Sequence, residues 1–459
     1  MDSALVGPDF ARASWGVVIQ SLDNAQVLYR RNADRLFLPA SNLKLLTAAA
    51  ALARLGPDYR WTTTVLARGA RRGDTLAGDL VVVGRGDPTF STDAMGDSTD
   101  VLRSLRPFAD SLRARGIRVV RGRVVGDASL FTGPPLGRGW AWDDLDADYA
   151  APVGALQFNE SVAWILATPA GVPGQPVALT LQPPAAALRI TSTALTAPAD
   201  STTSHLQWSR APFSDSVGVS GSLPAGHAPV RLPVSVPDPT RYFVAALTAA
   251  LADSGIAVLG DTAAPTPAPA ETLFVWHSPP LSAVLPLFLK PSQNQIGETL
   301  LRTLGAEAGG AGTVDSGRSV VRSVLTGFGV PPDAYVLEDG SGLSRYDFVA
   351  PEALAQVLAA LYRSPDFPVL YAALPVAGVD GTLATRMRGT AAAGNVHAKT
   401  GSLTGVRSLS GYVTDADGEH LLFVLLANDF TVPQRVVEAA QDQIAVRLAN
   451  FSRRPPGRR

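Results

Sequence analysis

Apolar positions along the 459 residues fall into three textures. Near the start, Trp15-Gly16-Val17-Val18-Ile19 and Val27-Leu28-Tyr29 flank an Asp23-Asn24 turn. Near the end, Ser408 to Thr414 and Leu421 to Leu426 flank Asp415-Ala416-Asp417-Gly418, so each end predicts a hairpin of two strands. From about Val432 to Phe451, residues Val436, Val437, Ala440, Ile444 and Leu448 recur at helical spacing. Together the two ends predict one α/β domain of α+β character. Leu43 to Leu55 is apolar nearly all round before Gly56-Pro57 stops it, the pattern of a buried helix. Between Thr62 and Asp261 the texture changes to short valine-rich runs, such as Asp79 to Val83 and Ile117 to Val125, separated by Gly, Pro, Ser and Thr clusters. That predicts a large, mostly β insertion, with the proline-rich Ala263 to Ala270 as the exit linker.

Composition narrows the classes. A hydrophobic content of 46% supplies real cores, and a net charge of −1 gives no general attraction to nucleic acid or to acidic lipid. The absence of cysteine removes disulfides, thiol catalysis and Cys-ligated metal, and five scattered histidines lack metal-ligand spacing. Neither a metal nor an organic cofactor is expected. No apolar run approaches the roughly 20 residues that span a bilayer, and Met1 to Leu5 shows no export signal. The tail Arg453-Arg454-Pro455-Pro456-Gly457-Arg458-Arg459 could at most make weak contact with an anionic membrane surface. Gly84-Arg85-Gly86 departs from a dinucleotide loop at Thr89. The alternating Asp144, Asp146 and Asp148 depart from a calcium loop at Tyr149.

The chemistry enters with the lysines, of which there are three against 36 arginines. Arginine stays protonated, whereas a desolvated lysine can lose its proton near neutral pH and accept one from a serine hydroxyl. Lys44 stands three residues after Ser41 at the start of the apolar helix, on the same face and within reach of the hydroxyl. Burial and the helix N-terminus favour its neutral amine. Lys290 precedes Pro291-Ser292-Gln293-Asn294, a polar loop before a helix expected from Gln295 to Leu304. There Ser292 can relay a proton to a leaving amine and Asn294 can bond Lys44. Lys399-Thr400-Gly401-Ser402 reads as a strand whose lysine and threonine can grip a carboxylate and whose glycine admits a substrate backbone. The amides of Ser402 and Ser41 are the candidate oxyanion hole.

The order Ser-x-x-Lys, Ser-x-Asn, Lys-Thr-Gly is that of penicillin-binding proteins and serine β-lactamases. With the long insertion and the phrases Asp339-Gly340-Ser341-Gly342-Leu343-Ser344 and Gly381-Thr382-Leu383, the chain resembles the class C penicillin-binding proteins of low molecular mass, the DacB-like D-alanyl-D-alanine carboxypeptidase/endopeptidases. The resemblance implies a transpeptidase-like catalytic domain at 1–64 and 270–459, a second domain at 65–158 and 232–269, and a nested third domain, mostly β, at 159–231. It implies an acyl-enzyme on Ser41, Lys44 as base, Ser292 and Asn294 in support, and Lys399 in substrate binding. By the same resemblance Asp144 receives a substrate ammonium group and Tyr149 lines an apolar wall. The implied partners are peptidoglycan peptides ending in D-Ala-D-Ala and β-lactams, met in the periplasm or otherwise outside the cytoplasm. The alternatives are a serine β-lactamase and a catalytically silent binder of cell-wall peptides.

Overall fold

The computed structural model describes residue 5 and residues 7–92, 100–202, 204–212, 214–260 and 270–454. The chain divides into two compact units. One comprises Met1–Tyr59, Gly137–Gly139 and Pro280–Arg459; the other comprises Arg60–Leu136 and Trp140–Pro279.

The first unit is built on a five-stranded antiparallel sheet that joins the two ends of the chain. Its order is His397–Leu403, Val406–Thr414, His420–Asn428, Ser14–Ser21 and Val27–Arg31. Alternation explains the two layers around it. Trp15, Val17 and Ile19 point to one face, where they join Val437, Ile444 and Leu448 of the terminal helix Gln434–Ala449 in one core. The helix Pro351–Tyr362 packs against Ser14–Ser21 and His420–Asn428. With both faces covered, His420–Asn428 is buried at every position after the first. The apolar segment forms a 3₁₀ turn, Ala40–Leu43, continued by the helix Lys44–Leu55, which ends at Gly56 with φ +80°. It packs against the helices Asn294–Glu307 and Val314–Gly327, and every residue from Lys44 to Leu52 is buried.

The second unit carries the valine-rich text. Thr75–Gly84 pairs with Thr62–Arg72 on one side and, in parallel, with Val119–Val120 and Val124–Asp127 on the other. Glu271–His277 pairs with the outer edge of Thr62–Arg72, and both strands belong to this unit. Residues 162–235 form two further sheets, of three and four strands. One continuous apolar core runs from Val65 through Ile165 and Val217 to Phe274. Among the described residues, two helices interrupt the expected β character: Arg106–Ala114, and Pro239–Asp253, capped by the Asp238 carboxylate on the Arg241 amide. Phe108 and Phe243 from these helices, with Phe90, Phe274 and Trp276, make an aromatic cluster under the sheet. The expected linker lies outside the described residues except for Ala270, as does the tail beyond Arg454. Arg453 and Arg454 are matched to Glu419 and Asp417, so the described part of the tail is tied to the protein surface. Among the described residues, no helix is long and apolar enough to cross a membrane.

Candidate active site

Three elements of the first unit converge on Ser41. The serine lies in the 3₁₀ turn behind Ala40, whose φ of +47° is a left-handed conformation that an alanine adopts only where packing imposes it. Gly342, at φ +80°, fits beneath this turn; a side chain there would run into the Ala40 carbonyl oxygen. Gly401 is equally constrained, because an added Cβ would stand 2.8 Å from the Pro39 oxygen and 3.0 Å from the Ser41 nitrogen. The Lys-Thr-Gly strand is thereby set against the backbone of the serine turn. The Asn42 side chain fastens the two by donating to the Lys399 carbonyl at 2.9 Å.

Lys44 is fully buried at the start of its helix. Its Nζ reaches Ser41 Oγ at 2.9 Å, Asn294 Oδ1 at 2.6 Å and the Ser341 carbonyl oxygen at 2.7 Å. All three partners are uncharged. Loss of hydration lowers the Lys44 pKa from 10.5 to about 7, and the carboxylates of Asp339, Glu298 and Asp347 oppose that fall without cancelling it. A large fraction of neutral amine at physiological pH is the state needed to take a proton from Ser41.

Asn294 opens the helix Asn294–Glu307, one residue earlier than the sequence suggests. Gln293 is its N-cap, the side-chain oxygen accepting from the Gln295 amide at 2.6 Å. Gln293 therefore serves the helix, and Ser292 beside it takes φ +67°, a second left-handed non-glycine residue at the same site. Lys399 is buried on the edge strand His397–Leu403, its Nζ on the Thr400 carbonyl oxygen at 3.0 Å. Burial, and then the charge of Lys44, push its pKa well below the usual lysine value. Ser402, two residues on from Thr400, is exposed on the same strand. As an edge, this strand can pair with an extended peptide.

Two groups have partners that side-chain spacing does not announce. The Asp339–Ser344 loop delivers the Ser341 carbonyl to Lys44. It is held by Asp339, which accepts from the amides of Ser341, Gly342 and Ser344 at 3.1, 2.6 and 2.8 Å. The phrase was noticed in the sequence, but a backbone oxygen leaves no residue signature. Lys290 forms an ion pair with Asp380 at 2.6 Å and also donates to the Leu374 carbonyl. Its own carbonyl accepts from the Thr382 amide, and Thr382 Oγ1 accepts from Thr400 Oγ1 at 2.6 Å. The third lysine thus braces a loop against the Lys-Thr-Gly strand.

Asp144 and Tyr149 belong to the second unit. The Tyr149 hydroxyl donates to Asp144 Oδ1 at 2.6 Å, on an exposed pair of 3₁₀ turns. Burial and this carboxylate push the tyrosine pKa up, so the phenol stays a donor. The wall expected of Tyr149 and the ammonium site expected of Asp144 are therefore one hydrogen-bonded pair.

A D-alanyl-D-alanine carboxypeptidase of Actinomadura sp. (strain R39) is 38% identical over 98% of this chain and 84% of its own length. The D-alanyl-D-alanine carboxypeptidase DacB of Haemophilus influenzae is 28% identical over 91% of this chain and 85% of its own. The crystal structure of penicillin binding protein 4 (dacB) from Haemophilus influenzae matches with a TM-score of 0.80 at 26% identity, covering 96% of this chain and 97% of that one. With a family match running over residues 1–451, the chain belongs to the D-Ala-D-Ala carboxypeptidase 3 (S13) family.

Proposed function

We propose that this chain is a serine-type D-Ala-D-Ala carboxypeptidase acting on peptidoglycan stem peptides through an acyl-enzyme on Ser41. The observation that carries this reading is the buried Lys44 Nζ, 2.9 Å from Ser41 Oγ and surrounded by neutral oxygens. The neutral amine takes the hydroxyl proton as Ser41 Oγ attacks the carbonyl carbon of the penultimate D-alanine. Negative charge gathers on the carbonyl oxygen, where the amides of Ser41 and Ser402 receive it. Collapse breaks the C–N bond. The departing D-alanine amine takes a proton that reaches it from Lys44 through Ser292, and water later hydrolyses the ester. Lys399 and Thr400 receive the terminal carboxylate, with Gly401 allowing close approach. That carboxylate supplies the counter-charge that buried Lys399 lacks and drives it to the ammonium form on binding.

The second unit adds specificity in this reading. Asp144, with Tyr149 holding its carboxylate in place, meets an ammonium group on the substrate side chain. Residues 159–231 form a nested third domain, and the enzyme works in the periplasm or otherwise outside the cytoplasm. β-Lactams acylate the same serine.

Fluorescent penicillin should label the wild-type protein, and mass spectrometry of the digest should find the adduct on Ser41. Ser41→Ala should remain unlabelled with its circular dichroism unchanged. Equal labelling of that variant sinks the proposal, and rapid loss of the label from the wild type favours a β-lactamase instead.

A further inference from the structure

Glu298 is buried one helical turn after Asn294, on the helix that supplies one of the three oxygens around Lys44. Its Oε1 accepts from the Gly340 amide at 2.8 Å. The Gly340 carbonyl in turn accepts from Thr47 Oγ1 at 2.8 Å, on the helix of Lys44, and the next carbonyl, that of Ser341, is the one that Lys44 reaches. A single carboxylate therefore ties the Asn294 helix to the loop carrying the other fixed oxygen of Lys44. Close backbone contact reinforces the tie, since a Cβ on Gly297 would stand 2.8 Å from the Gly340 oxygen.

We propose that Glu298 is a positioning residue for acylation: it sets the Ser341 carbonyl on Lys44 and supplies negative charge that governs how firmly Lys44 holds its proton. This rests on the reading of Lys44 as the base. The charged and titratable groups around the pair come from four places. Arg302, one turn on, meets Glu298 at 3.2 Å with both side chains buried. Asp339 and Asp347 approach from the loop and from the segment after it, and both act on Glu298 or are acted on by it. Lys399 faces Lys44 from the edge strand. Glu338 instead meets Arg318 at 3.3 Å and Arg138 at 3.7 Å. Burial and Asp339 push the Glu298 pKa up and Arg302 opposes the rise, while the charge of Glu298 in turn raises the pKa of Lys44.

A brace that only held the loop would change the rate at every pH alike. A charged brace also moves the pH dependence. Replacing Glu298 by Gln keeps an oxygen for the Gly340 amide but removes the charge that favours the Lys44 ammonium. Lys44 then loses its proton more easily, and the acid limb of acylation moves to lower pH.

The test is the second-order rate of acylation by fluorescent penicillin between pH 5 and 9. Wild type, Glu298→Gln, Glu298→Ala and Lys44→Arg are compared. Glu298→Gln is expected to shift the acid limb down by about one pH unit with a near-normal plateau, the low end of the effect of a nearby opposite charge. Glu298→Ala, which also loses the grip on Gly340, drops the plateau on the order of tenfold or more. If loss of the Glu298 charge beside buried Arg302 prevents folding, the double variant Glu298→Gln/Arg302→Met removes both buried charges. It should show the same downward shift, because Arg302 lies a turn further from Asn294. An acid limb that stays in place in the folded charge-free variant overturns the proposal. Near-normal acylation of Lys44→Arg would instead overturn the reading of the base, so the two failures are distinct.

Discussion

Lys44 and Lys290 stand beside the first two serine motifs of the same chain, yet their surroundings differ in kind. Lys44 is enclosed by a serine hydroxyl, an asparagine oxygen and a backbone carbonyl. Lys290 is paired with the Asp380 carboxylate at 2.6 Å, with about a quarter of its side chain exposed. With only uncharged groups in contact and more distant carboxylates as partial compensation, burial leaves Lys44 ready to give up its proton, whereas Lys290 is tied to a carboxylate in a direct ion pair. The residue type permits both roles, and the charge of the partner decides between a base and a brace.

The sharpest way to break this contrast is to give Lys44 a carboxylate of its own. Asn294→Asp places a charge where a neutral oxygen now lies 2.6 Å from Nζ. The acid limb of acylation should rise by about one to three pH units. Penicillin labelling at pH 7 should fall on the order of tenfold to a hundredfold and recover at pH 9. A variant that labels at pH 7 as fast as wild type would show that the neutrality of the cage is irrelevant.

Removing the brace should act on binding. Lys290→Met frees Asp380 and loosens the loop that holds Thr382 against Thr400. The expected result is a rise of about three- to tenfold in KM for a D-Ala-D-Ala peptide, with the pH midpoint unmoved. Stability should drop by no more than about 1 kcal/mol, since the pair is partly exposed. A displaced pH midpoint would mean that Lys290 shares the proton chemistry after all.

Asp144 offers the mildest test, at a third kind of charged site. Its carboxylate already accepts a hydrogen bond from Tyr149 on an exposed turn. Asp144→Ala should reduce the preference for peptides with a free side-chain amine over acetylated ones by about tenfold, the low end of the scale of one charge-assisted contact. Penicillin labelling should barely change. An intact preference, measured by released D-alanine, would confine this pair to a surface role.

The sequence spoke clearly wherever side-chain type and periodicity carried the message. Ser41 and Lys44 meet as their spacing suggests, Asn294 joins them as its motif suggests, and the two terminal hairpins lie in one sheet. It was silent where backbone atoms or distant partners carry the role. Nothing in Ser341 as a residue says that its carbonyl will meet Lys44, and Asp380 lies 90 positions from Lys290. The helix Pro239–Asp253 was hidden by the valine-rich strands around it, although Asp238-Pro239 is a capping signal with a known mechanism. Nothing in the sequence around Glu298 marks its charge as buried; the fold sets it against the Gly340 amide.

With three lysines in the chain, selective ¹³C labelling of lysine reduces the ε-methylene region of an NMR spectrum to three signals, assigned by Lys44→Arg and Lys399→Arg. Titration from pH 5 to 11 reads the ionisation of Lys44 directly. Its signal should move with a midpoint near 7, far below the ordinary lysine value of 10.5. The acid limb of penicillin acylation should share that midpoint. A Lys44 signal that remains that of an ammonium group through pH 9, in a protein that still acylates at pH 7, would contradict the assignment of Lys44 as the base.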